Sequence, residues 1–534
     1  MSSRHGLAAL ALAMAVSLPA TGQIEESGLD LVNPWGMSFL EAGEPSLPTS
    51  MWRASEAEAL LPMMRRVRTI GLTPGERSLM RRMALSPATP PSGDIEPQLR
   101  AERARIMFEL GEARAAAALM DRLDQPPLGM NPHEISADLN LALGNEATAC
   151  GMLQEPGLSG DYWAKLRAVC AALAGNTAGA ELAIEMALQQ GVEDSWLLNA
   201  VFAASGELPE PPEARYDSGI ALAISTEAGL TPPDEPVSIR RPDLAAAIAT
   251  HPGVPVAVRA RAAGIAAAAG LIETKDYRDV MDTLLDDPDF APATPLETAL
   301  GLLRDPEAVS ADQADALAAA LLAAMDNPAD FAATARLLRE EIATLPMDSE
   351  TAAHALIFAR AAFAAGDTGT AENWAIANTV SGTVEADSFD LALISGLILL
   401  SGEEPTLMSS AETGNRLVME ATTGEQKRAT ARLMTVWNET GIAPPAKARA
   451  MMAEQDFAVP DLTHLGTLAA MQAAAEADAA GEVILSAVGL TNGDPSLLQP
   501  VELVLLMRAL KRIGAEDEAH QIALEATGYW NTAE

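Results

Sequence analysis

The apolar positions of this chain recur at helical spacing, in segments closed by Gly, Pro or an acidic turn, and no stretch sustains the alternation of a half-buried strand. The segment VCAALAGNTAGAELAIEMALQQ, Val169 to Gln190, shows the rule inside the pattern: Ala168 stands seven positions before Gly175 and Ala180 five after it. The same spacing returns at Gly111 with Ala104 and Ala116, at Gly144 with Ala137 and Ala149, and at Gly366 with Ala359 and Ala371. Gly111 and Gly144 are 33 residues apart and Gly144 and Gly175 are 31 apart, which is the period of helical repeats. Gly514 keeps Ala519 but has Met507 at the first small position, a degenerate copy; Gly264 with Ala257 and Ala269 stands outside the series and fits the coincidence expected of an Ala-rich chain.

A Gly between two helices supplies the backbone angles of a tight turn, and an Ala on each helix lets the axes approach where they cross. Each hairpin built this way keeps one apolar side that the next must cover, so copies stack. AERARIMFELGEARAA, ADLNLALGNEATA and AVCAALAGNTAGA resemble tetratricopeptide repeats in their two small positions and the turn between them, without most of that family's aromatic positions. The resemblance spans about 100 residues, and implies an all-α fold: an α-solenoid of stacked antiparallel helix hairpins that serves as scaffold or peptide-binding superhelix. It carries over no catalytic residue and implies no cofactor.

Breaks at GELPEPPEARY, ATHPGVP, GIAPPAKA and TNGDPS place Pro where the next helix starts. LLDDPDFAPAT and AAMDNPADFAATA resemble each other, and each predicts a new element near Phe290 and Phe331. The repeats divide into an N-terminal region, 95–240, and a C-terminal region, 241–534. Ahead of them, residues 23–50 are rich in Gly, Pro and Ser and read as an extended arm lying along the helices. Residues 51–94 form a basic helical cap and linker, with capping boxes expected at SEAE (Ser55 to Glu58) and TPGE (Thr73 to Glu76) and a break at Pro62.

The first residues change the setting. A basic start, an apolar run from Gly6 to Leu18 and the small residues before Gln23 have the layout of a signal peptide over residues 1–22, which predicts export, with the periplasm ahead of the extracellular medium. The longest later apolar run, Leu391 to Leu400, is too short to cross a bilayer. Export bears on the only two cysteines, Cys150 and Cys170, for which a disulfide between consecutive helices and two buried free thiols are both open readings. The apolar content, 49% of residues with only 4% aromatic, favours helix, and a net charge of −39 repels phosphate backbones, so nucleic acid is not an expected partner.

Against that charge, Arg65, Arg66, Arg68, Arg77, Arg81 and Arg82 form the one strongly basic cluster. It reads either as a docking patch for an acidic partner or as a set of guanidinium groups paired with the chain's own acids and helix ends. Asp286, Asp287 and Asp289 suggest a calcium loop only weakly, because Pro288 replaces the turn glycine and no closing Glu follows. His133, His251, His354, His464 and His520 show no pair at ligand spacing, and no nucleophile elbow or phosphate loop is present. The seven tryptophans read as inter-helix anchors. These features predict an exported helical-repeat scaffold that binds an envelope protein or peptide. The alternative is a periplasmic enzyme, or enzyme regulator, acting on cell-wall or polysaccharide substrate through a buried carboxylate.

Overall fold

In the computed structural model every regular element among the described residues is a helix. The structure describes residues 33–530 apart from 207, 209, 234–238, 289, 381–387, 402–408 and 457–463. The segment read as a signal peptide and the first part of the arm lie outside the described residues, as does Asp289. From Pro34 onward the chain is one compact unit, and no described helix is long and apolar enough to cross a membrane.

The cap supplies α1 (Ala57–Arg66) and α2 (Pro74–Leu85). α1 starts at Ala57 without a side-chain cap, because residues 55–57 are taken up in a short bridge to Ser92: Ala57 N–H donates to Ser92 O at 2.8 Å. The capping box expected at Ser55 is therefore not formed, and the helix continues through Pro62. The box at Thr73 and Glu76 is formed in full.

The tandem Gly positions then each join two helices. α3 (Glu96–Glu109) and α4 (Ala113–Met120) flank Gly111, α5 (Pro132–Ala142) and α6 (Glu146–Gly151) flank Gly144, and α7 (Asp161–Leu173) and α8 (Thr177–Gln189) flank Gly175. All three glycines have positive φ, 93°, 73° and 66°, where a side chain is strained. Ala104, Ala116, Ala137, Ala149, Ala168 and Ala180 are all buried, at 1% exposure or less. Small residues at these points let partner helices close on each other.

α9 (Ser195–Ala204) and α10 (Gly219–Glu227) complete this half. α10 packs on α5 so closely that a Cβ on Gly219 would overlap the Asp138 carbonyl. The next group comprises α11 (Pro242–Thr250), α12 (Val256–Ala268), α13 (Thr274–Leu285), α14 (Pro295–Arg304), α15 (Ser310–Ala323), α16 (Pro328–Leu337) and α17 (Arg339–Thr344). Gly264 lies inside α12 and makes no turn, and the element expected near Phe290 begins at Pro295, where Thr294 and Glu297 form a capping box. Arg241 spans the division at residue 240, pairing with Asp138 of α5 at 2.8 Å and with Asp243 at 2.6 Å.

The last helices are α18 (Ala355–Ala364), α19 (Thr368–Val380), α20 (Ser388–Leu400), α21 (Ser410–Glu420), α22 (Gly424–Thr440), α23 (Ala446–Asp456), α24 (Leu465–Glu476), α25 (Ala480–Thr491), α26 (Pro500–Arg512) and α27 (Glu516–Ala526). Gly366 (φ 74°) and Gly514 (φ 76°) turn α18 into α19 and α26 into α27, with Ala359, Ala371, Met507 and Ala519 buried at the crossings. Neighbouring helices pack in pairs throughout. The ends of the described chain also meet: α2 lies against α25 and α27.

Candidate functional site

Three features compete for a functional role: the seam between the chain's ends, the disulfide-bearing hairpins, and a groove along α12, α13, α16 and α17. In the seam, Trp52 fills the space above Gly481, and Gly481 N–H donates to Met51 O at 3.2 Å. Glu76 accepts from Thr73 N–H at 2.8 Å and from Gly493 N–H at 2.8 Å, and also from the Thr491 hydroxyl. Beside it, Glu525 accepts from Gly75 N–H at 2.8 Å and Gln521 Nε2 at 3.1 Å, while its Oε2 has no hydrogen-bond partner. Burial pushes the Glu525 carboxyl up to about 7, with the Glu76 charge adding to the effect and the nearby donors of Thr73, Gly75 and Gln521 opposing it.

Five of the six arginines of the cap are engaged within the chain. Arg65 pairs with Glu102 at 3.1 Å, and Arg81 with Glu44 at 2.5 Å and Glu112 at 2.6 Å. Arg77 donates to Leu110 O at 2.9 Å and Arg68 to Asn492 O at 3.0 Å, while Arg82 reaches Glu518 at 3.0 Å and Gly514 O at 3.3 Å. Arg66 is exposed. These contacts match the intramolecular reading of the cluster, and Arg65, Arg66 and Arg68 are at the same time exposed. The sequence reading missed Arg103, which donates to the carbonyls of Pro34, Trp35, Met37, Ala84 and Ser86 and so fastens the arm to α2. Burial brings its guanidinium down to about 10.

Cys150 on α6 and Cys170 on α7 are joined by a disulfide, their Cα atoms 5.7 Å apart. Among the described residues no cluster of His, Cys, Asp and Glu is arranged to hold a metal ion. Asp286 is instead paired with Arg304 at 2.6 Å. Trp35, Trp52, Trp163, Trp374 and Trp437 are fully buried anchors; Trp196 lies nearer the surface under the Arg215 guanidinium, 4.9 Å from its ring centre.

The groove consists of three cavities that share walls. A cavity of about 300 Å³ lies among α12 to α16, a second of about 480 Å³ shares Tyr277 with it, and a third of about 650 Å³ shares Thr274, Lys275 and Arg336 with the second. Its cations are unequally committed. Arg278 is held by Glu341 at 2.5 Å and Arg339 by Asp367 at 3.3 Å. Arg336 forms one hydrogen bond, from Nε to Ala332 O at 3.1 Å. The surrounding atoms desolvate its guanidinium and lower its pKa. No protein family, curated protein or solved structure matches this chain.

Proposed function

We propose that this chain is an exported docking protein of the cell envelope, an α-solenoid of tetratricopeptide-like hairpins on which an envelope protein or peptide binds. The observation that carries the reading is the groove along α12, α13, α16 and α17, where Arg336 and Glu340 face an open cavity and neither has an ion-pair partner among the described residues. A segment laid along such a groove would be recognised by shape and scattered polar contacts. The repeat spacing and the buried Ala pairs support the hairpin stack. The Cys150 to Cys170 bridge suits the oxidising compartment to which a signal peptide leads. Arg68 and Arg82 of the cap serve the seam, while Arg65, Arg77 and Arg81 tie the cap to α3, to the arm and to the turn at Gly111, and for that reason we assign docking to the groove.

The test is crosslinking in cells followed by affinity purification of the mature chain, beside Arg336→Glu with Glu340→Lys and, separately, Arg65→Glu with Arg66→Glu. A specific envelope protein lost only with the groove variant supports the proposal. Loss only with the cap variant returns docking to the cap.

The enzymatic alternative draws on the meeting of the chain's ends and on the carboxylates that converge there. Glu76 and Glu525, however, line none of the cavities described above; both oxygens of Glu76 and Oε1 of Glu525 are taken up by donors within the seam, and Glu525 Oε2 is buried. Release of fragments from cell-wall glycans by the purified chain would favour that alternative.

A further inference from the structure

The stack of hairpins leaves one helix covered on a single side. In the tandem repeats the second helix of a hairpin lies against the first helix of the next: α4 packs on α5 as well as on α3, and α6 on α7 as well as on α5. α8 departs from this order. It packs along α7 but barely meets α9, which lies instead against α7 and α10. A hairpin of apolar helices keeps a side that its neighbour must cover, and on α8 that side stays open.

The composition of α8 sharpens the point. TAGAELAIEMALQ carries apolar residues on every face, the pattern of a helix buried all round, yet only Ala180, Ile184 and Ala187 are buried. Leu182, Met186 and Leu188 are 58%, 50% and 52% exposed, and no other described helix exposes more than one large apolar side chain. Residues four apart form rows along a helix. Ala178, Leu182 and Met186 make an exposed apolar row, with Glu181 and Glu185 as an acidic row on one edge. On the other edge Gly179 and the half-buried Ala183 are small enough for a second helix to come close. α8 contains no Lys or Arg.

Charge decides what can cover this face. A second copy docked antiparallel would set the two acidic rows side by side, and the net charge of −39 adds repulsion in any orientation. A helix with cations along one edge meets the acidic row instead. We propose that the outer face of α8 binds an amphipathic helix of a partner protein, whose apolar stripe covers Leu182 and Met186 and whose Lys or Arg side chains face Glu181 and Glu185. α8 lines none of the cavities of the groove, and the inference does not depend on docking there.

Fluorescence anisotropy with the full mature chain and labelled synthetic peptides tests the proposal, at about 0.15 M salt so that general attraction to a charged surface is screened. Three helical peptides of about 18 residues are compared: a leucine stripe flanked by Lys, the same stripe flanked by Glu, and the Lys peptide with its leucines scrambled. The first should bind at least about tenfold more tightly than either of the others. Leu182→Gln with Met186→Gln, both at exposed positions, should lower that affinity about tenfold with the helical signal unchanged. Glu181→Lys with Glu185→Lys should reverse the preference between the Lys-flanked and Glu-flanked peptides, a result that loss of folding cannot produce. Arg336→Glu with Glu340→Lys should bind as the native chain does; loss of binding there would put the peptide in the groove and overturn the proposal. Equal binding of the striped and scrambled Lys peptides, or an affinity that Leu182→Gln with Met186→Gln leaves unchanged, also overturns it. Sedimentation that finds the native chain dimeric and that variant monomeric would overturn it in favour of a second copy.

Discussion

Replacing Glu525 by Gln should change how stability depends on pH. In the seam this carboxyl titrates at about 7, against 4.5 for an ordinary glutamate. The folded chain therefore holds a proton that the unfolded chain releases, so the contribution to stability is complete below pH 4.5 and is lost as pH rises through 7. The span between the two values corresponds to about 3 kcal/mol, of which about 2.5 kcal/mol falls between pH 5 and pH 8. Gln keeps an oxygen for the Gly75 N–H and carries no charge beside Glu76. Its stability relative to the native chain should thus improve by about 2.5 kcal/mol from pH 5 to pH 8. Urea unfolding of both proteins at several pH values, followed by tryptophan fluorescence, gives this difference directly, because the other carboxylates contribute equally to both. Parallel profiles, or a variant that loses ground with rising pH, would refute the argument.

Reduction of the Cys150 to Cys170 bridge, or Cys150→Ser, should destabilise α6 and α7 by about 3 kcal/mol for a closed loop of this size, read as faster amide exchange confined to those helices; unchanged exchange would argue against it. Ala168→Leu, at a closed crossing, should cost about 1–3 kcal/mol, whereas Ala257→Leu, at an exposed position that shares the spacing only by coincidence, should cost under about 0.5 kcal/mol. Equal costs would mean the buried Ala pairs do not set the helix approach. Arg103→Met leaves five carbonyls without their donor and should cost about 2–4 kcal/mol, with new proteolytic cleavage between Pro34 and Leu40 as the specific sign; an arm that stays protected would show another anchor.

The hairpins at Gly111, Gly144, Gly175 and Gly366 were legible in the sequence because each depends on neighbours within a dozen positions. The hairpin of α24 and α25 was not. Its turn places Asp478 at φ 57° where the others have Gly, and the crossing uses Met471 and Val483 instead of Ala, so the geometry is kept while the letters change. The seam was illegible for a different reason: Arg82 meets Glu518 across 436 positions, and no local pattern announces such a partner.

The meeting of α2 with α27 also dictates an order of events. Hairpins such as α7 with α8 close over short loops and can form as soon as both helices exist. The bond from Gly75 N–H to Glu525 joins residues 450 positions apart, a loop whose closure entropy alone is about 5 kcal/mol. Glu525 and Trp530 follow Trp52 by more than 400 positions and are synthesised long after it. A chain folding from its N-terminus would hold Trp52 and the cap uncovered until α25 and α27 arrive. A product truncated before α25 would then keep that apolar face exposed, and the defect would be visible to chaperones and proteases from outside.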